Sequence, residues 1–182
     1  MRAGRERRWD IIKSMPSVGV VLYHTEWDAF LLVRQFRPAV YSAQCATAEE
    51  SSNATLALEA GFTYEVCAGL IDKDKSILQI CHEEIIEECG YNVRTDSIRP
   101  VTTYIGSAGN SGATHNLFAA KVDESMREGD GGGLHSDGEA IEVLRLPRAN
   151  SEAFLEDLSI PKSAGLVTGL TWAIWKLDSG KW

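Results

Sequence analysis

Residues 76–89 constrain the fold most, because their pattern predicts a helix with two chemically different faces. At about 100° per residue, one arc of this helix collects its apolar side chains: Leu78, Cys81, Ile85 and Cys89. A second arc, roughly 100° wide, collects Glu84, Glu87 and Glu88. Gly90 follows, where glycine commonly ends a helix. The apolar face must therefore pack against another element, and the acidic face remains for a site.

The three carboxylates of the acidic face predict a cation site. Like charges three or four residues apart destabilise an isolated helix by about 0.2–0.5 kcal/mol per pair. A fold that keeps such charges together therefore gains something from them, and cation binding is the simplest gain. Carboxylate oxygens are ligands that Mg²⁺ prefers, and they also suit Mn²⁺. We expect magnesium at this face, with manganese as a substitute.

The composition predicts one soluble globular domain over residues 1–182. A chain of 182 residues that is 44% hydrophobic buries a core without disulfides or structural metal. The net charge of −8 argues against a nucleic-acid partner, which would need clustered cations. No run of about 18 apolar residues is present, so we expect no membrane span. Residues 1–8 are arginine-rich and are predicted to be disordered.

The cysteines indicate a reducing compartment. The four cysteines show no CxxC spacing, which argues against a zinc site. Cys81 and Cys89 lie on the apolar face of the predicted helix, where reduced thiols are commonly buried. We therefore expect a cytoplasmic protein.

Short β-like runs precede the acidic helix. Residues 17–23 and 29–34 are rich in Val, Leu and aromatic residues, and the polar connection between them predicts a β-hairpin. Pro38 should follow the end of the second strand, because proline cannot donate to a strand ladder. Residues 42–61 are interpreted as a partly mobile insertion with a helical piece. Residues 62–67 predict a further strand, with Gly69 in the loop before the helix.

The second half of the chain alternates β-like runs with glycine-rich connections. Strands are expected at 101–105, 116–122 and 140–146, and loops at 106–112 and 129–138. Apolar residues at helical spacing predict a last helix over 162–177. Several strands and a few helices indicate an α/β domain, and the early hairpin indicates a mixed sheet.

Residues 69–91 resemble the Nudix box, the signature of a family of hydrolases. The positions that agree with it in type and spacing are Gly69, Glu84, Ile85, Glu87, Glu88, Gly90 and Tyr91. Outside the box, the resemblance extends to the UDP-glucose pyrophosphatase branch, which is close to ADP-ribose pyrophosphatases. The matching runs include residues 32–41, 64–70, 131–134, 138–143 and 160–162. The resemblance implies the Nudix fold, an α/β/α sandwich with a mixed β-sheet.

The resemblance also implies a metal centre and a reaction. Glu84 and Glu88 would coordinate magnesium, with Glu87 nearby and the backbone carbonyl of Ala68 as a further ligand. The implied reaction is hydrolysis of UDP-glucose to UMP and glucose 1-phosphate. Cleavage of ADP-ribose is the alternative. The branch forms homodimers with the help of an additional N-terminal β segment, and this chain is expected to begin partway through that segment or after it. The resemblance still implies a homodimer.

Further roles follow from the resemblance. Glu87, Asp137 and Glu139 are the candidate catalytic acids, and the last two lie on a glycine-rich loop that would close as a lid. A solvated acidic loop without a role is the alternative. Arg37 and Glu65 match positions that line the nucleotide-sugar pocket, and a purely structural ion pair is the alternative there.

Two positions depart from the Nudix box. Lys75 replaces an acid, and Glu83 replaces the arginine that orients a metal-binding carboxylate in the family. Lys73, Lys75 or an arginine from elsewhere is a candidate for the missing cation. Glu83 also supports an alternative function, a weakened Nudix module that binds nucleotide sugars without cleaving them. If the site lacks a cation, Glu83→Arg should raise its magnesium affinity.

Other patterns have simpler interpretations. Residues 72–83 match part of an EF-hand loop, but Ile77 stands where that loop needs glycine. The loop 106–112 is either a phosphate-binding nest or a plain connection, and we favour the connection. Trp172 and Trp175 on the last helix are expected to be core residues and not a base-stacking pair. The four histidines are expected at the surface or without a role.

Overall fold

The computed structural model describes residues 6–52, 56–134, 136 and 138–182, without the side chains of 48–52. Within these residues the chain forms a seven-stranded sheet. The strands are β1 (Ser17–His24), β2 (Ala29–Phe36), β3 (Phe62–Glu65), β4 (Cys67–Leu70), β5 (Arg99–Ile105), β6 (Thr114–Val122) and β7 (Ile141–Pro147). The α-helices are α1 (Pro38–Ser52), α2 (Ile77–Glu84), α3 (Ser151–Glu156) and α4 (Ala164–Asp178).

The sheet is mixed, as predicted. The main path runs β3-β2-β1-β6-β5, while β4 pairs with β1 and β7 pairs with β2. The predicted hairpin is confirmed, since β1 and β2 are antiparallel. β1 and β6 are parallel over their full paired length, from Ser17 opposite His115 to His24 opposite Val122.

Both faces of the central strands are buried, which explains why these strands read as continuous apolar runs. In β1, Val18, Val20 and Leu22 belong to the core that includes the acidic helix. Val21 and Tyr23 belong to a second core on the opposite face, together with Leu166 and Leu170 of α4. The sheet therefore lies between α2 and α4, which confirms the α/β/α sandwich.

Two sequence predictions need correction in the first half of the chain. The helical piece predicted within residues 42–61 is confirmed but begins earlier, because α1 starts at Pro38; a 3₁₀ turn occupies Leu58–Gly61. Proline is favourable at the first helical position, since its missing N–H has no partner there in any helix. Residues 62–67 form two strands and not one, because the chain leaves β2 after Glu65 and pairs with β1 from Cys67.

The remaining predictions of secondary structure are confirmed with small shifts in their ends. The last helix is α4, while α3 and the short 3₁₀ turns at Thr95–Ser97, Glu124–Met126 and Arg148–Asn150 were not predicted. Residues 1–5 lie outside the described residues, and residues 6–8 have no regular structure. None of the helices in the described part of the chain has the length and apolar character needed to cross a membrane.

Candidate active site

The acidic helix begins and ends with strong local signals. Ser76 caps α2 through a reciprocal capping box with Gln79, in which each side chain bonds the other residue's backbone N–H. After Glu84 the helix widens into a π-helical turn over Ile85–Cys89, and Gly90 ends it with φ of 78°. The sequence predicted one regular helix here. π-turns of this kind are frequent at functional sites.

Strand β4 places Ala68 and Gly69 against the acidic face of this helix. A Cβ atom at Gly69 would overlap the carboxylate of Glu84, so only glycine leaves room for that side chain. The Glu88 Oε2 atom accepts a hydrogen bond of 2.8 Å from the Ala68 N–H. Glu88 is only 3% exposed. Glu84 and Glu88 are therefore held beside the strand in fixed positions.

Burial and mutual repulsion disfavour charge on these two carboxylates. Burial, followed by the charge of Glu87, raises the pKa of Glu84 to about 7. Burial also raises the pKa of Glu88 to about 8, against the opposing effect of the Ala68 N–H and with a further contribution from Glu84. A cation beside the pair would reverse both effects, because it favours the charged carboxylate.

The donor set fits a divalent ion that also uses water and substrate as ligands. Among the described residues, no group of three or more His, Cys, Asp or Glu side chains is arranged to hold an ion. Magnesium rarely needs such a cage, since it commonly uses one or two carboxylates together with waters and substrate phosphates. Glu84 and Glu88 would provide the two carboxylates. The Glu87 ligand and the carbonyl ligand of Ala68 stay predictions.

The glycine-rich loop after the helix is attached to the helix end. The N–H groups of Gly132 and Gly133 donate to the carbonyls of Glu88 and Glu87 at 2.9 and 3.0 Å. Gly131 has φ of 70°, and a Cβ there would overlap the Glu88 carbonyl. These glycines therefore satisfy the last carbonyls of the helix, a role that differs from the freedom of movement expected from the sequence.

Of the two loop acids, the structure describes Glu139. This carboxylate lines the cavity next to the acidic helix, and its Oε2 atom accepts a hydrogen bond of 2.9 Å from the Leu134 N–H. Asp137 lies outside the described residues. Glu139 is thus held at the site by the same loop that caps the helix.

Arg37 and Glu65 form a forked ion pair at the wall of the cavity. Arg37 Nε and Nη2 donate to the two oxygens of Glu65 at 2.7 and 2.8 Å. Thr63 Oγ1 donates to the same carboxylate at 2.6 Å. These hydrogen bonds to the Glu65 carboxylate raise the pKa of Arg37. The two side chains bond each other, as the ion-pair alternative predicted. Both also line the cavity, so they remain candidates for substrate binding.

Glu83 pairs with two of the cations that were candidates from the sequence, Lys73 and Lys75. Its two oxygens lie 2.5 Å from Lys75 Nζ and 3.4 Å from Lys73 Nζ. The hydrogen bond from Lys75, together with the charges of both lysines, lowers the pKa of Glu83. Positions 75 and 83 therefore carry an acid–base pair with the charges exchanged relative to the Nudix box.

These elements enclose a cavity of about 750 Å³ between the acidic helix and the sheet. Its far wall contains residues that the sequence did not single out. Tyr104 of β5 lies opposite His115 of β6, and their rings stack at 5.3 Å. His115 Nδ1 and Ser17 Oγ share a hydrogen bond of 2.7 Å. Only the strand register brings these three residues together, so no local pattern reveals them.

Two histidines have a notable position, and one of them, His24, is not at the surface as one form of the prediction had it. His115 lines the cavity, as described above. His24 is completely buried, and its ring stacks on Trp27 at 3.5 Å. Burial lowers the pKa of His24, which favours a neutral ring.

Three simpler interpretations have mixed outcomes. No glycine of loop 106–112 has positive φ, so the loop lacks the left-handed residue of a nest and is a plain connection. Trp172 packs against Trp182 and the second core, as expected. Trp175 is 56% exposed and is not a core residue, and neither tryptophan lines the cavity.

The site can be compared with known proteins. The chain is 36% identical to the uridine diphosphate glucose pyrophosphatase NUDT14 of Bos taurus, over 93% of this chain and 82% of that protein. The corresponding protein of Mus musculus is 32% identical over the same shares. The chain belongs to the Nudix hydrolase family. No general family model matches it.

A second group of relatives has names that specify another nucleotide sugar, GDP-mannose. The GDP-mannose pyrophosphatase of Pectobacterium atrosepticum is 35% identical over 76% of this chain and 62% of its own length. The Nudix assignment explains the spacing of Gly69, Glu84, Glu88 and Gly90. Lys75 and Glu83 are the two positions at which the chain departs from the Nudix box.

Proposed function

We propose that this Nudix protein hydrolyses the diphosphate bond of nucleotide sugars, with UDP-glucose as the main substrate and UMP and glucose 1-phosphate as products. The observation that carries the proposal is the pair of buried carboxylates, Glu84 and Glu88, beside the glycine strand in a cavity large enough for such a ligand. Similarity to UDP-glucose and GDP-mannose pyrophosphatases supports the substrate class.

Glu84 and Glu88 would hold Mg²⁺ or Mn²⁺, with Ala68 and Glu87 as the proposed further ligands. The bound ion would neutralise the diphosphate and polarise its phosphorus atoms. Glu139 faces the same cavity and is the proposed acceptor of the proton from the attacking water, with Glu87 and Asp137 as the other candidates. The start of α4 also lines the cavity, and a helix N-terminus attracts phosphate.

The cavity offers separate places for the two ends of a nucleotide sugar. Arg37 and Glu65 line one wall, where the guanidinium and carboxylate can bind hydroxyl groups. Tyr104 and His115 form an aromatic wall that suits the flat base. The diphosphate would then lie between these walls, beside Glu84 and Glu88.

The proposal is tested with purified protein, UDP-glucose and magnesium. We expect UMP release that depends on the metal and is lost in Glu88→Gln, while circular dichroism shows that the variant is folded. Binding of UDP-glucose without UMP release would contradict the enzyme and support the weakened binding module. Rates with UDP-glucose, GDP-mannose and ADP-ribose at equal concentration then decide the substrate, and a preference for ADP-ribose would overturn our choice.

We also propose a domain organisation, an oligomeric state and a location. Residues 1–182 would form one domain, and a homodimer would cover apolar side chains that are exposed near the N-terminus: Trp9, Ile11, Ile12 and Met15. Light scattering tests the dimer. Four free cysteines, three of them buried, support the cytoplasm as the location.

A further inference from the structure

The cavity is strongly acidic for a protein whose proposed substrate is an anion. Six carboxylates line it: Glu65, Asp72, Glu84, Glu87, Glu88 and Glu139. Among the described lining residues, arginine and lysine contribute only Arg37 and Lys73. A diphosphate that enters this field needs positive charge in addition to the ion at Glu84 and Glu88.

Arg37 is already engaged by a strong partner. Two of its nitrogen atoms bond both oxygens of Glu65, which is only 9% exposed. Such a forked, charge-assisted pair is geometrically specific and strong. Redirecting the guanidinium toward a phosphate would leave a buried carboxylate without its partner, which is costly.

Lys73 is held more loosely and lies on the side of the metal ligands. Its Nζ atom is 3.4 Å from Glu83 Oε2, whereas Lys75 bonds the other oxygen of Glu83 at 2.5 Å. Burial lowers the pKa of Lys73, but Glu87, Glu83 and Glu84 outweigh it and raise this pKa. The ammonium is therefore charged, near the acidic helix, and free to turn on a flexible stem.

Lys75 differs from Lys73 in one respect that matters. Both lysines pair with Glu83 and both are about equally exposed, with side-chain exposures of 43% and 39%. Lys73 lines the cavity, and Lys75 does not. Lys75 is therefore a matched control for Lys73, because it pairs with the same carboxylate but lies outside the cavity.

We propose that Lys73 is a substrate-binding residue that donates to a phosphate oxygen of the diphosphate. This rests on the proposed function, because it requires a diphosphate ligand beside Glu84 and Glu88. The contact between Lys73 and Glu83 is long and partly exposed, so Lys73 can turn from that carboxylate to the substrate at little cost.

The test measures binding without turnover, using α,β-methylene-UDP, whose bridging carbon prevents cleavage. Titration calorimetry with magnesium should show Lys73→Gln binding about tenfold more weakly, the effect of a hydrogen bond to a charged group worth roughly 1.4 kcal/mol. Lys75→Gln should change the Kd by less than about threefold. Lys73→Arg should retain most of the affinity, since it keeps the charge. Thermal unfolding of each variant checks the fold.

The outcomes separate this inference from the proposed function. Equal affinity of Lys73→Gln and the unchanged protein would overturn the role of Lys73, while UMP release by the unchanged protein would still support the enzyme. Equal losses in Lys73→Gln and Lys75→Gln would also overturn it, because they indicate a structural effect through Glu83. Failure of the unchanged protein both to bind the analogue and to release UMP would overturn both proposals.

Discussion

The interpretation of Glu83 changes once its neighbours in the structure are known. From the sequence it is a carboxylate where the Nudix box has a cation. In the structure, Lys75 and Lys73 face it, so the local charge is balanced by an exchanged pair. The carboxylate is therefore compatible with a working site and does not by itself indicate a weakened protein.

Exchange of the charges at positions 75 and 83 tests directly whether the site lacks a cation. Glu83→Arg places a third cation beside Lys73 and Lys75, and we expect severalfold weaker binding of magnesium and UDP-glucose. The double variant Lys75→Glu/Glu83→Arg restores an opposite-charge pair and should recover most of the activity. Kinetics of UMP release against magnesium concentration measures both effects. Higher magnesium affinity in the single variant would mean that the site does lack a cation.

Gly69 matters because of the space above its Cα atom. A Cβ there would overlap the Glu84 carboxylate, so Gly69→Ala should displace this side chain from its position beside β4. We expect kcat/KM to fall by about 100-fold, which is the effect of a displacement of about 1 Å in an active site. Gly112→Ala is the control, because no atom lies within 4 Å of a Cβ at that position. Equal activity of both variants would show that Glu84 tolerates the displacement.

The acidic helix and the following glycine-rich loop act as one element. The helix widens into a π-turn before Gly90, and the loop then returns to bond the carbonyls of Glu87 and Glu88. Periodicity predicted the helix and its end, because these depend on residues close in the chain. It could not predict the loop contacts, because a left-handed glycine serves equally well in a mobile loop and in a helix cap.

Paired glycine variants of this loop separate two sources of instability. Gly131→Ala combines a positive φ with overlap of the Glu88 carbonyl, and we expect a loss of about 3 kcal/mol in the free energy of unfolding. Gly138 has φ of 83° but open space around its Cβ position, so Gly138→Ala should cost only about 1 kcal/mol. Urea unfolding measures both values. Equal losses would show that the contact with the helix end adds nothing.

Across the whole molecule, the buried carboxylates couple stability to pH and metal. The pKa values of Glu84 and Glu88 rise from 4.5 to about 7 and about 8 on folding. The folded state therefore holds protons that the unfolded state has lost, so this stabilising contribution is complete below pH 4.5 and disappears as the pH rises to about 8.

Thermal unfolding in EDTA should show this coupling. Between pH 5.5 and pH 8.5 we expect the free energy of unfolding to fall by on the order of 5 kcal/mol, or roughly 10–15 °C in Tm. Magnesium at pH 8.5 should recover the loss, because a bound cation stabilises the charged carboxylates. Glu88→Gln should show a shallower pH dependence. Parallel pH profiles of the variant and the unchanged protein would contradict the coupling.

The amino-acid sequence was sufficient for features that depend on near neighbours. It predicted the two-faced acidic helix, its glycine end, the hairpin and the family, because periodicity and motif spacing are properties of a continuous segment. It did not place the start of α1 at Pro38, because the weakly patterned composition of this segment does not distinguish a surface helix from a loop. Folding in three dimensions was required to bring Tyr104 opposite His115, Lys75 onto Glu83 and the glycine loop onto Glu88. These contacts depend on strand register and chain return, which no short segment encodes.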